Sequence, residues 1–169
     1  MKEFFIKQMA MYSAYHMDGR NQLTHYIGVP SIVVSLFMAF SWIDVFATNG
    51  MQVTFAMIFI AIILMFYLFS DLLIGLIAAA VFIPLLKAST YLAPLPDLAG
   101  WMWFAVLFVG GWIFQLVGHV FEGRKPALLD NLFQIFMAPS FLIAEALFHL
   151  GLHRGLKEEI GTRVGEYAA

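Results

Sequence analysis

Five histidines, His16, His25, His119, His149 and His153, hold most of the metal-binding capacity of this sequence, which contains no cysteine. Without thiols, disulfides, thiolate metal sites and cysteine nucleophiles are all excluded. Histidine combined with carboxylate is the ligand set of non-haem iron, manganese or zinc. Two clusters offer that combination. The first is Tyr15-His16-Met17-Asp18-Gly19-Arg20-Asn21 followed by His25, and the second is Gly118-His119 followed by Glu122, Arg124, Lys125 and Pro126.

Spacing restricts how these groups can meet. His16 and His25 are nine residues apart, about two and a half turns, so one unbroken helix would place them on opposite faces. A break at Asp18-Gly19 removes the conflict. A short helix from about Arg20 then sets Asn21 and His25 on one face at i, i+4, and Gly28 and Pro30 turn the chain into the first membrane helix. His119 and Glu122, at i, i+3, lie about 60° apart and can face one site. Glu145, His149 and His153 form a third series at i, i+4, i+8. Plainer roles compete with each reading. Glu122 can pair with Arg124 or Lys125, His149 and His153 can be solvated residues of an amphipathic C-terminal helix, and Glu145 can orient a histidine from behind.

The elements that must position these residues follow from composition. The chain has 169 residues, 62% hydrophobic and 12% charged, with a mean hydropathy of +0.86 and a net charge of -2. An ordinary soluble domain is nearer half apolar and a quarter charged. The expected class is therefore all-α, an integral membrane helical bundle forming one domain over residues 1–169. No basic tract suits nucleic acid. The first fifteen residues lack the apolar core of a cleaved signal and read as a short helix, either interfacial or packed on the protein itself.

Four apolar runs have the length to cross a bilayer: about Gly28 to Phe46, Val53 to Phe69, Leu72 to Leu92, and Trp101 to Phe121. The breaks between them, Thr48-Asn49-Gly50, Ser70-Asp71 and Pro94-Leu95-Pro96-Asp97, are short enough to force antiparallel neighbours. Residues 127–150 are weaker, and we read them as two re-entrant or interfacial pieces bent near Ala138-Pro139, with a fifth full crossing as the alternative. With a cytoplasmic N-terminus, eight of the nine lysines and arginines fall on one side. All five histidines, Glu122 and Glu145 then share the cytoplasmic face.

The motifs Tyr15-His16, Asn21, His25 and Pro30 resemble the opening of the membrane-bound 2-hydroxy fatty acid dioxygenases. A second block is closer still: Gly111-Trp112-Ile113-Phe114-Gln115, Gly118-His119, Phe121-Glu122, Pro126-Ala127-Leu128, Asp130-Asn131-Leu132, Gln134, Ala138-Pro139, Phe141 and Glu145. The likeness runs from about residue 12 to residue 151. It implies iron(II)-dependent α-oxidation, in which O₂ converts a long-chain 2-hydroxy fatty acid to an acid one carbon shorter. By the same resemblance His16, His25 and His119 are the iron-binding histidines, and Glu122, Asn21 and Glu145 are members of the surrounding catalytic motif. Met17 departs from the pattern where some members are expected to carry a second histidine. Charge alone suggests Arg20, Arg124 or Lys125 for the substrate carboxylate. The expected setting is a bacterial inner membrane, or the endoplasmic reticulum in a eukaryote. The competing functions are a non-catalytic membrane metal-binding protein and a small proton-coupled carrier.

Overall fold

The computed structural model describes residues 1–48, 51–96 and 98–167; Asn49, Gly50 and Asp97, which fall in two of the expected breaks, lie outside them. In chain order the described elements are α1 (Lys2–Ala14), α2 (Gly19–Ser41), strands β1 (Asp44–Thr48) and β2 (Met51–Thr54), α3 (Phe55–Ser70), α4 (Leu72–Leu92), α5 (Ala99–Glu122), a 3₁₀ turn (Ala127–Leu129), α6 (Gln134–His149) and α7 (Arg154–Val164). The all-α membrane class is as the sequence implies, with three helices, α2, α4 and α5, long and apolar enough to span a bilayer.

The break at Asp18 is present. Asp18 takes extended backbone and caps α2, its Oδ1 accepting the Arg20 N–H at 2.8 Å. Beyond it the expectation fails: no turn occurs at Gly28 and Pro30, and α2 continues through Pro30 to Ser41. A proline interior to a membrane helix removes one backbone donor, a loss that neighbouring helices tolerate. His25 and the following apolar stripe therefore share one rigid rod.

α3 has 16 residues, about 24 Å at 1.5 Å per residue, short of the expected span. It nevertheless joins the same two ends of the bundle. Phe55, at its start, packs on Phe40 with ring centroids 5.0 Å apart, and Phe66, near its end, meets Phe5 at 6.1 Å. Residues 44–48 and 51–54, expected to be helix ends beside a plain break, instead pair as antiparallel strands with an irregularity between Asp44 and Phe46.

The segments that the basic residues assign to one side are in contact with each other. Lys2 Nζ lies 3.1 Å from Glu159, Glu3 pairs with Arg163, His153 Nε2 is 2.7 Å from Asp71, and Arg124 donates to the Ala14 carbonyl at 2.8 Å. At the opposite end Trp42 Nε1 donates to the Ala93 carbonyl at 3.0 Å and its ring stacks on Trp101 at 4.0 Å. α1 packs on the protein itself, with Phe5 and Met9 fully buried against Met137, Phe141 and their neighbours.

α2 and α5 run antiparallel at close range because both are notched. A Cβ on Gly28 would lie 2.9 Å from the Gly111 carbonyl oxygen, and one on Gly111 would lie 2.7 Å from Ile32 Cγ1. Residues 134–149 form one helix with Pro139 inside it, correcting the bend expected there. The break comes later, where Gly151 adopts φ 72° and α7 leaves α6 at 116°. That break also separates His153 from the helix that holds Glu145 and His149, so the expected i, i+4, i+8 series does not form.

Candidate metal centre

His16 sits in the short connection after α1, His25 lies two turns into α2, and His119 lies in the last turn of α5. The Asp18 break turns the first two toward each other, and the glycine-notched α2–α5 contact brings in the third. All three are buried, and one nitrogen from each lies within 4.8 Å of the others. The ring centroids are 4.6, 5.0 and 5.1 Å apart, with the planes crossed at 78°, 69° and 84°.

Hydrogen bonds fix what the first two rings present. His16 Nδ1 lies 2.7 Å from the Tyr12 carbonyl oxygen and His25 Nδ1 lies 2.9 Å from that of Asn21. A carbonyl only accepts, so each Nδ1 carries the proton and each Nε2 of a neutral ring presents its lone pair. These two Nε2 atoms face each other at 3.1 Å. Two acceptors at that distance need a cation or a shared proton between them. The separation suits two nitrogens that each lie about 2.1 Å from one metal ion. His119 Nδ1 is buried without a hydrogen-bond partner among the described residues, a cost that a bound cation removes. Burial, with the neighbouring His25 next, holds His16 well below the usual imidazole range, which keeps it neutral and able to ligate. The residues fit a metal.

Glu122 reaches the same corner in a different role. Its Oε1 accepts the Met17 N–H at 2.9 Å, and its Oε2 accepts the Asp18 N–H and Asn21 Nδ2, each at 2.9 Å. The carboxylate clasps the His16 connection and the start of α2 onto the end of α5. Asn21, fully buried, is part of the clasp, and its main-chain oxygen receives the His25 proton. The donor set facing the centre is thus three imidazoles, with the nearby carboxylate committed elsewhere.

The other sequence candidates lie apart. Glu145 is half-buried on α6, close to Tyr26 and His149 and outside the cavity that holds the three histidines. His149 is exposed, its Nδ1 donating to the Glu145 carbonyl, and His153 pairs with Asp71. Arg20 binds Asp18 through Nε and Nη2 over the Phe121 ring, Lys125 binds Asp130, and Arg124 lies over Tyr15. The Met17 side chain points outward, 65% exposed.

Three residues gain a place that spacing alone did not give them. Tyr12 stacks on His16 at 3.9 Å with the rings 3° from parallel. Gln115 lies one helical turn before His119, and Gln134 is buried with its Nε2 donating to Gln8 Oε1 at 2.7 Å. With the histidines, these three line a cavity of about 70 Å³. The i−4 spacing of Gln115 from His119 was the one local signal available.

A family model described as 2-hydroxy-palmitic acid dioxygenase Mpo1-like matches residues 2–150. The chain is 34% identical over 152 residues to a protein of Saccharomyces cerevisiae named 2-hydroxy-palmitic acid dioxygenase MPO1, covering 89% of this chain and 83% of the yeast one. No solved structure matches the chain.

Proposed function

The chain belongs to the 2-hydroxy-palmitic acid dioxygenase Mpo1-like family, and from that premise we propose that it is an iron(II)-dependent dioxygenase acting on long-chain 2-hydroxy fatty acids. The product is the acid one carbon shorter. The observation that carries the reading is the pair of facing Nε2 lone pairs of His16 and His25, 3.1 Å apart beside His119 in an apolar cavity.

His16, His25 and His119 hold the metal as neutral imidazoles. Tyr12 and Asn21 fix the proton of the first two on Nδ1 through their carbonyl oxygens. Glu122 keeps the His16 connection against α5, which sets His16 relative to His119. Bound iron(II) supplies the electron transfer that ground-state O₂ requires. The apolar walls exclude water from the reacting carbon. The balance closes without a further reductant: one 2-hydroxy acid and one O₂ give the shortened acid, one carbon dioxide and one water, so the substrate supplies all the electrons.

The same reading places the protein in a membrane with its centre near the cytoplasmic headgroups, in a bacterial inner membrane or the endoplasmic reticulum. A proton-coupled carrier using Glu122 and Glu145 gains little support from Glu122, since both oxygens of that carboxylate are already taken by N–H groups. Incubation of the iron-loaded protein with 2-hydroxypalmitate and O₂, read by mass spectrometry, tests the proposal. Pentadecanoate formed with one O₂ consumed per acid and no added reductant is the expected result; no shortened acid at any chain length overturns it.

A further inference from the structure

Three apolar cavities share two lining residues, Val33 of α2 and Pro139 of α6. The first is the histidine cavity. The third, about 390 Å³, lies across the Val29–Val33 side of α2, between α2, α4 and α6. It runs from Ile77 to Leu85 on α4 and from Pro139 to Leu147 on α6, about 12 Å of helix each at 1.5 Å per residue, and ends at Leu150 just beyond α6. No charged residue lines it, and its one polar side chain, Tyr26, turns its hydroxyl toward the Leu142 carbonyl at 3.5 Å.

Resting on the dioxygenase reading, we propose that this groove between α2, α4 and α6 receives the acyl chain of the substrate, which passes from the histidines over Val33 and Pro139. The shared wall selects this occupant: Val29, Val33 and Pro139 line both the histidine cavity and this groove, so a chain whose 2-hydroxy end lies at the imidazoles meets this wall within the first turns of α2. Lipid tails are as apolar as the groove, so the groove selects by shape and length rather than by hydrophobic gain. Val33 is the width-setting position. Ala146, a small exposed side chain on the groove wall, is where a larger residue shortens the space.

The test uses the iron-loaded protein in nanodiscs and a 2-hydroxyhexadecanoic acid bearing a diazirine at its terminal carbon. Photolysis should place adducts on Val81, Leu85, Ile143 or Ala146, and excess 2-hydroxypalmitate should suppress them. Adducts confined to the lipid face of α5, or adducts on the groove that 2-hydroxypalmitate leaves unchanged, overturn the proposal, the second result marking a groove filled by bilayer lipid. In a parallel arm, Val33→Trp and Ala146→Trp should each shift the ratio of C8 to C16 turnover at least tenfold toward C8, at metal content equal to wild type. Metal-loaded variants with the wild-type length profile overturn the groove assignment and leave the activity standing. A wild type that converts no 2-hydroxy acid overturns the activity reading instead.

Discussion

Glu122 Oε1 accepts the main-chain N–H of Met17 at 2.9 Å, across 105 residues of chain. Together with the bonds to Asp18 and Asn21, this makes Glu122 a clasp that holds the candidate ligand His16 in place. A histidine in a short connection has no helix to fix it, so its position depends on such cross-links.

Glu122→Ala should therefore lower metal affinity about 10–100-fold, the usual cost of losing a partner that orients a ligand. Glu122→Gln keeps one acceptor oxygen and should lose less. Competitive metal titration of both variants measures the difference. Equal, wild-type affinity in both would show that the clasp is dispensable.

Gly118 of α5 packs directly against the turn of α2 that holds His25. A Cβ there would meet Thr24 Oγ1 and Asn21 Oδ1 and lie 3.1 Å from His25 Nδ1. Gly118→Ala should cost about 1–3 kcal/mol through overpacking and reduce metal binding with it. Gly110→Ala, where nothing lies within 4 Å, should be neutral or stabilise by up to about 1 kcal/mol, as expected for alanine in a helix interior. Thermal unfolding and metal content of the two variants give the comparison.

The C-terminal helix should loosen in acid. The Arg163 guanidinium beside Glu3 holds that carboxyl below its ordinary value of 4.5. A carboxylate depressed in the folded state contributes stability that is complete above its unfolded value and is lost as pH falls through the folded one. Amide exchange in α7 should accordingly rise below pH 4.5, the ordinary value, while the core of α2 stays protected. Glu3→Gln should show the faster exchange already at neutral pH and remove most of the pH dependence. Unchanged α7 exchange in that variant would mean that the ion pair does not dock the helix.

His149 and His153 should be dispensable for the metal. His149→Ala removes an exposed ring hydrogen-bonded to its own helix, and metal content should not change. His153→Ala removes the contact to Asp71 at the α3–α4 turn, so exchange at that turn should quicken with metal retained. Loss of metal in either variant would enlarge the centre beyond three histidines.

Much of this arrangement could be read from the residues. Apolar run lengths gave the helices, and the distribution of lysine and arginine brought His119 to the face that holds His16 and His25, although about a hundred residues separate them. The break at Asp18 followed from the nine-residue spacing and the glycine. What escaped the sequence has physical causes. Pro30 read as a turn into the first membrane helix and Pro139 as a bend, yet packed membrane helices absorb the missing N–H and both helices run on. The strand pair at residues 44–48 and 51–54 was hidden by the apolarity of Val45, Phe46 and Val53, which suits a strand as well as a helix end. Glu122 looked like a ligand because i, i+3 spacing faces it toward His119; that its oxygens are filled by main-chain donors from a distant loop is visible only in three dimensions.

The central claim is that His16, His25 and His119 together hold one iron(II). Anaerobic titration of the purified protein with iron(II), alongside His16→Ala, His25→Ala and His119→Ala, tests it most directly. One tightly bound equivalent in the wild type, lost or greatly weakened in each variant, is the predicted result. An undiminished equivalent in all three variants, or none in a folded wild type, would contradict it.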